Sequence, residues 1–440
     1  MSHRKKQRMP RKISYFIALL GVLFYFYETI LELVPSTIVQ GLMRNFHINA
    51  SMIGILDTTY FAVYALMQIP GGYLLDRFGA KKILTLAALC CCFGQLLFIM
   101  TNYLSIALIA RVIMGFGGAF GLMGAMYLIN KYIARPYLGF ALGLAILFGL
   151  SGGLFSAPLT ALEESYGWSF SLLLLAFVAG LLAIIFRLFL TDPGRPSDTP
   201  FYHDLLANLK QLLNYRALWP IAIYGGLIYI PTGTLANLWG IEYLKVYYQG
   251  DPAIQAAKMN GLIFLGWIVG SPFVGLISDR LKERRRVVLA GGVGLFLSLL
   301  LISQDTHLLV SEMFALMFTV GFFSSASGLT FAMGCESVPK VKGGMAVGFV
   351  NMMAILPTII ISPLFGVILD QGWASQMLHG AKIYPLHAYQ NAFILEYGLV
   401  FVALLVGYFL MPETLAGRSR RGGTADIYSP GCKKGKIGTN

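Results

Sequence analysis

The sequence predicts an all-α membrane protein with twelve transmembrane helices in two six-helix, pseudo-symmetric halves. Three observations predict it. The 440-residue chain is 57% hydrophobic and only 12% charged, against roughly 25% charged in ordinary soluble domains. Its apolar residues come in runs of about 20, the length that crosses a bilayer core of roughly 30 Å. One crowded connection, Gly72-Tyr73-Leu74-Leu75-Asp76-Arg77-Phe78-Gly79-Ala80-Lys81-Lys82, returns 203 positions later as Gly275-Leu276-Ile277-Ser278-Asp279-Arg280-Leu281-Lys282-Glu283-Arg284-Arg285. A β-barrel would instead alternate apolar and polar residues, with turns about every 10 residues.

In chain order, residues 1–12 form a basic tail. The apolar run lacks a small-x-small cleavage site, so it reads as an uncleaved first span. The N-terminal half occupies 13–190, with spans at about 13–34, 51–74, 82–100, 103–130, 138–160 and 168–190. Pro35 and the polar residues up to Ala50 read as an outer loop. A Pro/Gly/Asp-rich stretch cannot be helical, so 191–217 is a linker, with an amphipathic helix expected over 203–214. The C-terminal half occupies 218–411, with spans at about 218–241, 259–278, 287–303, 309–334, 344–369 and 391–411. Residues 412–440 are polar and rich in Gly, Lys and Arg, and are expected to be disordered. Gly115-Phe116 recurs as Gly321-Phe322, and Gly167-Trp168 as Gly372-Trp373, so the halves are parallel repeats. Carriers of this kind hold their solute where the halves meet, near mid-membrane.

A net charge of +13 would suggest nucleic acid in a soluble chain. Here 28 of the 33 bases fall in the two tails and in the connections on one side, and four fall on the other. That asymmetry places both termini in the cytoplasm, in the inner or plasma membrane, and removes nucleic acid as a partner. The five cysteines lack the spacing and the His or carboxylate neighbours of a metal site. There is no phosphate-binding Gly-x-x-x-x-Gly-Lys-Ser/Thr loop, zinc motif or serine elbow, and the histidines fall in tails and loops. No enzyme activity, metal or cofactor is expected, and a proton gradient is the expected driving force. A monomer in the lipid bilayer, moving a small solute, is the expected working unit.

Charges inside spans are costly and mark function. Glu28 and Glu32 are four apart, on one helix face. At 1.5 Å per residue, Glu28 and Asp57 are expected roughly 9 Å inside their spans and Arg111 roughly 12 Å inside its own. Either the acids and Arg111 form a structural ion pair within the N-terminal half, or they hold a proton or a substrate charge, Arg111 pairing with Glu28 or Asp57. The second half offers polar and aromatic groups instead of charges. Asn237 and Trp239 are the cavity candidates there, because Pro231 and Gly233 break span 7. Gly117, Gly121, Gly149 and Gly153 read as helix-packing residues.

The pattern Gly-x-Leu-x-Asp-Arg-x-Gly-x-Lys-Lys at Gly72–Lys82 resembles the loop between spans 2 and 3 of the major facilitator superfamily. Arg111 with Gly115 resembles its span-4 motif. "YALMQIPGGYLLDRFG" (Tyr64–Gly79) and "NLWGIEYL" (Asn237–Leu244) are similar to a bacterial branch related to lysosomal dipeptide carriers. The resemblance implies a carrier that alternates between outward-open and inward-open states. Gly72, Asp76, Arg77, Gly79, Lys81 and Lys82 would then form a cytoplasmic latch, and Gly275, Asp279 and Arg280 a weaker second copy. The implied activity is proton-coupled symport of an amino acid, dipeptide or organic acid. An exporter, a uniporter, a non-transporting receptor and a channel remain as alternatives.

Overall fold

The computed structural model describes residues 11–134, 137–191, 209–248, 253–304, 307–339, 343–378 and 380–415. Among them are twelve helical spans long and apolar enough to cross a membrane. They run Lys12–Phe46, Ala50–Met67, Ala80–Ile99, Leu104–Tyr132, Phe140–Tyr166 and Trp168–Phe189 in the first half. In the second they run Leu218–Tyr247, Ala253–Leu281, Arg285–Gln304, Val310–Glu336, Gly344–Gln371 and Leu386–Phe409. Span 1 packs on span 4, and span 3 on spans 4 and 6. Span 7 packs on spans 11 and 12, and span 8 on span 10. The tails and most of the linker lie outside the described residues; residues 209–213 are helical, and Leu212 is buried against Leu218, Ala222 and Phe349.

The repeat read from the sequence reappears as a repeated contact. A Cβ on Gly115 would meet the Tyr60 carbonyl at 2.4 Å, and one on Gly321 would meet the Ile263 carbonyl at 1.8 Å. Tyr60 and Ile263 are themselves 203 positions apart. In each half a span-4-type glycine therefore brings two helix backbones together.

Three expectations need correction. The loop expected after Pro35 is helix: span 1 continues through Pro35 to Phe46. Proline removes one backbone donor, but the Ser36 and Thr37 hydroxyls donate to the Leu33 and Val34 carbonyls at 2.7 and 2.9 Å. Glu28 therefore lies midway along span 1, about 27 Å from Phe46 at 1.5 Å per residue. Asp57 and Arg111, each seven residues into its helix, sit together about 10 Å in. The second half also has an intramembrane acid: Glu396 of span 12 is fully buried and accepts a hydrogen bond from Thr234. Finally, His387 stands in the first turn of span 12, not in a loop.

Both copies of the crowded connection place one residue at positive φ, but the first joins its helices through Gly79 alone and the second through residues 282–284. Gly79 has φ +85°, and Lys282, its equivalent, has φ +54°. The left-handed region costs a residue with a Cβ roughly 1–2 kcal/mol, and glycine nothing. Gly79→Ala is therefore expected to lower thermal stability and Lys282→Gly to raise it slightly, each by about 1 kcal/mol, as read from melting in detergent. Equal shifts of one sign would contradict a cost of positive φ at both positions.

Candidate functional site

The site grows from a glycine stripe on span 4. Gly115, Gly118 and Gly121 recur every three residues, so they share one helix face. A Cβ on Gly118 would sit 1.9 Å from the Tyr60 hydroxyl, and one on Gly121 would sit 2.8 Å from the Glu28 side chain. The missing side chains leave the room in which Tyr60 and Glu28 lie, both fully buried. Tyr60 Oη donates to Glu28 Oε1 at 3.2 Å. The other face of the Tyr60 ring carries Arg111, whose Cζ is 4.8 Å from the ring centroid.

Arg111 is fully engaged within the N-terminal half. Its Nη2 reaches Asp57 Oδ1 and the Asp57 carbonyl, both at 3.0 Å, and its Nε reaches the Leu56 carbonyl at 3.1 Å. The expectation that Arg111 pairs with Glu28 or Asp57 resolves to Asp57. Both are buried, beside a void of about 20 Å³ otherwise lined by apolar side chains, among them Leu31, Phe98 and Leu172. Such a void has room for one water, and Asp57 Oδ2 has no protein partner.

Glu28 lies against span 4 of its own half, its side chain filling the space beside Gly121. Tyr25, Glu28 and Glu32 follow one another at three- and four-residue steps on span 1, hence on one face. Glu28 and Glu32 are in side-chain hydrogen-bond contact. Tyr25, Tyr64 of span 2 and Tyr229 of span 7 all lie within electrostatic range of this pair. Tyr25 is seated against Gly149, where a Cβ would meet its ring at 2.0 Å. Tyr229 stands 6.1 Å from the Trp267 ring, and Trp267 Nε1 donates to Thr232 at 2.9 Å.

The sequence candidates on span 7 separate. Residues 232–239 form a π-helical segment, so where Pro231 and Gly233 led us to expect a break the helix widens but continues through Leu218–Tyr247. Asn237 is buried near Tyr229, and its amide nitrogen has no hydrogen-bond partner among the described residues. Trp239 is stacked on Phe365 at 6.0 Å and lines a different space, a vestibule of about 940 Å³ that also meets Arg44, Glu163, Glu242 and Lys245. Tyr60, Tyr25, Tyr64 and Tyr229 carry the geometry but were missed as a group. The signal was present: Tyr25 and Glu28, three apart, and Tyr60 and Tyr64, four apart, each share a helix face.

A profile of the Major Facilitator Superfamily matches residues 17–303 and 259–430. The chain belongs to the major facilitator superfamily. It is 23% identical over 432 residues to the "Probable sulfoacetate transporter SauU" of Cupriavidus necator, covering 92% of this chain and 96% of that one. It is 24% identical to the "Probable galactarate/D-glucarate transporter GudP" of Bacillus subtilis, covering 82% and 86%. It is also 24% identical to the "Membrane sensor protein UhpC" of Escherichia coli, covering 76% and 80%. Among solved structures, a bacterial homolog of the human lysosomal transporter Spinster aligns with TM-score 0.72 at 14% identity, covering 91% of this chain and 97% of that one. The nucleoside transporter NupG aligns with TM-score 0.70 at 12% identity, covering 89% and 99%. These structures share the fold. The chain is a multi-pass membrane protein of a transporter family and not an enzyme.

In this superfamily member the halves meet closely at the end that carries Ala50. A Cβ on Gly54 would strike Pro363 at 2.7 Å, and one on Gly153 would strike Phe264 at 2.1 Å. Ser156 Oγ donates across the seam to the Ala257 carbonyl at 2.8 Å, and Gln40 Nε2 to Glu242 Oε2 at 2.9 Å. Asp370, at the end of span 11, accepts from the first amides of span 2, Ala50 at 3.2 Å and Ser51 at 2.9 Å. A carboxylate is favoured at such a helix N-terminus. Tyr384 Oη donates to the same carboxylate at 2.7 Å; partial burial raises the Tyr384 pKa, and Asp370 beside it raises it further.

At the opposite end span 11 still touches span 2, where a Cβ on Gly348 would meet the Gln68 carbonyl at 3.1 Å, but other positions are open. Gly72, Gly275 and Gly344 have no neighbouring atom within 4 Å of an added Cβ. Asp76 is exposed; its partial burial raises its pKa, and nearby Lys131 opposes that rise. Arg77 lies near the rings of Tyr73 and Phe78 of its own helix. Lys81 and Lys82 follow Gly79 in the first turn of span 3. The second copy, ranked weaker from sequence, carries a network of its own. Arg284 bonds Asp279 at 2.7 Å and Glu336 at 3.2 Å, while Glu413 accepts from the Arg284 and Arg285 amides at 2.9 Å each. Arg280, in the last turn of span 8, is exposed.

Proposed function

We propose that the chain is a proton-coupled secondary carrier for a small polar solute of the amino acid, dipeptide or organic acid class, working by alternating access. The observation that carries this is the contact between Glu28 and Glu32 on one face of span 1, with Glu28 buried against Tyr60 and Gly121. Ionised carboxylates only accept hydrogen bonds, so two in contact hold a proton between them. Leaving a charge bare in a span costs several kcal/mol, so emptying the pair of its proton is linked to filling it with something else. The test is transport in proteoliposomes, after a thermal-shift screen of the named solute classes has supplied a stabilising ligand. An inward proton gradient is expected to change the rate of labelled-solute uptake, and solute addition alone to move the internal pH. Acidification of the lumen with uptake means symport, and alkalinisation means exchange. No pH change with saturable uptake would leave a uniporter and sink the proton coupling.

The relatives' names support the organic acid end of that class, and the sensor among them supports one second reading, a receptor on a carrier fold. Counterflow of labelled solute separates the two, since a receptor that does not transport shows none.

The hydrogen bonds that tie the halves together at the Ala50 end, against the open space around Gly72 and Gly275, support an inward-open arrangement, with the base-rich Gly72–Lys82 connection in the cytoplasm. On this reading Asp370 holds the outer gate shut, as Asp76 would hold the inner gate in the opposite state. Asp370→Asn removes the charge from the span-2 N-terminus, an interaction of about 0.3–1 kcal/mol. A single cysteine at Ser51 is expected to react with an external impermeant maleimide two- to fivefold faster in that background. A cysteine at Gly72 is expected to react only from the cytoplasmic side. Unchanged labelling at Ser51 would remove Asp370 from the gate.

A further inference from the structure

We propose that the vestibule at the Ala50 end is an outer reception site for a solute that carries both an ammonium group and a carboxylate, an amino acid or a short peptide; this rests on the carrier reading and the orientation above. Size comes first. The space is about 940 Å³, within the range of small-molecule pockets, about 300–1,000 Å³. It is deep. Trp239 stands eight residues before Tyr247, the end of span 7, hence about 12 Å in at 1.5 Å per residue. The halves close below it: Ser156, seven residues deeper than Glu163 on span 5, donates to the Ala257 carbonyl of span 8. A guest that enters from outside therefore stops in the vestibule until the gate opens.

Charge comes second. Six charged side chains line the space: Arg44, Lys245 and Lys382, with Glu163, Glu164 and Glu242. Two of them answer each other. Lys245 Nζ lies 2.8 Å from Glu242 Oε1, and Gln40 of the other half donates to Glu242 Oε2 at 2.9 Å. Among the described residues the other four have no ion pair within 4.0 Å; Arg44 and Lys245 are in electrostatic range of Glu163 without such contact. The four are sorted by side. Both cations sit at the short hairpin of Met377–Leu378 and Ala381–Lys382, between spans 11 and 12. There Lys382 lies 4.3 Å from the Trp373 ring centroid, and a Cβ on Gly380 would come 3.9 Å from Arg44. The carboxylates are neighbours near the end of span 5. An organic anion meets Glu163 and Glu164, and an organic cation meets Arg44 and Lys382. A guest with both charges, laid from span 5 to the hairpin, sets each against its opposite.

A third observation calls for an acceptor. Trp239 lines the vestibule, is fully buried and is held by stacking on Phe365, yet its indole N–H has no hydrogen-bond partner among the described residues. Indole nitrogen only donates. A carboxylate or a peptide carbonyl of the guest supplies the missing acceptor.

The experiment uses the full chain in proteoliposomes with a single cysteine, Gln376→Cys, since Gln376 lines the vestibule and is exposed. Glycylglycine, succinate and ethanolamine are the zwitterionic, dianionic and cationic probes. Glycylglycine is expected to protect the cysteine from an external impermeant maleimide, saturably and at about fivefold lower concentration than the other two, because partly exposed ion pairs are each worth only a few-fold. The same ranking is expected for stabilisation of the natural chain in detergent. Glu163→Gln with Glu164→Gln is expected to hand the preference to succinate, and Arg44→Gln with Lys382→Gln to hand it to ethanolamine; a role in folding alone would not reverse selectivity. Trp239→Phe is expected to weaken glycylglycine protection about threefold, the scale of one hydrogen bond. Protection by succinate or ethanolamine in preference, or by none of the three probes, overturns the site. Proton-coupled solute uptake without vestibule protection would keep the carrier reading and sink this one. Protection by glycylglycine in a chain that transports nothing would keep the site and remove the carrier reading.

Discussion

Asp57→Ala is expected to destabilise the protein by about 3–5 kcal/mol, because it leaves a buried guanidinium without its counter-charge. Arg111 and Asp57 are each nearly fully buried, so water cannot replace the lost carboxylate. The remaining partners are the Leu56 and Asp57 carbonyls, which carry no net charge. Adding Arg111→Met removes the stranded cation, and the double variant is expected to recover most of the loss, since a packed apolar pair is often no worse than a buried ion pair. Membrane proteins commonly unfold irreversibly, so the measurement is the half-life of inactivation in detergent at one fixed temperature. A double variant no longer-lived than Asp57→Ala would show that the two charges are not coupled. If the double variant also transports, Arg111 and Asp57 hold the scaffold beneath Tyr60 and do not move the proton.

Glu28→Gln is expected to cut proton-gradient-driven transport by about a hundredfold, the scale of losing one positioned proton-transfer group. Glutamine fits the same room beside Gly121 and still accepts from Tyr60 through its amide oxygen, so the inactivation half-life should stay near that of the natural protein. This combination separates coupling from folding. Glu396→Gln is the control: its carboxyl is equally buried but bonds Thr234 within the second half, away from the seam. Gradient-driven transport that survives Glu28→Gln would dismiss Glu28 as the proton site, and an equal loss in Glu396→Gln would move the chemistry to the second half.

Much of this was legible in the sequence because lipid imposes simple rules. A span must satisfy its own backbone, so apolar length and turn residues reveal twelve helices and two halves. Isolated charges inside those runs exposed Glu28, Glu32, Asp57 and Arg111, which the structure gathers around Tyr60. Boundaries were less legible. Pro35 reads as a break, yet the helix continues, because Ser36 and Thr37 supply hydroxyl donors and neighbouring spans bury the segment. That error misplaced Glu28 by about two-thirds of a bilayer core at 1.5 Å per residue. Glu396 was passed over since a lone acid among aromatic and aliphatic neighbours has no sequence partner; Thr234 is 162 positions away. Asp370 on the Ala50 and Ser51 amides is equally invisible, 319 and 320 positions apart.

The sequence by itself determined the membrane class, the duplication and which charges had to be buried, since those follow from hydropathy, spacing and the cost of charge in lipid. Only the tertiary structure decided how those charges are divided. Arg111 is paired with Asp57, while Glu28 is held by Tyr60 beside Gly121 and touches Glu32. The physical reason is that pairing depends on which helix faces meet. That was set by small residues such as Gly115, Gly118 and Gly321, whose contacts join positions far apart in the chain.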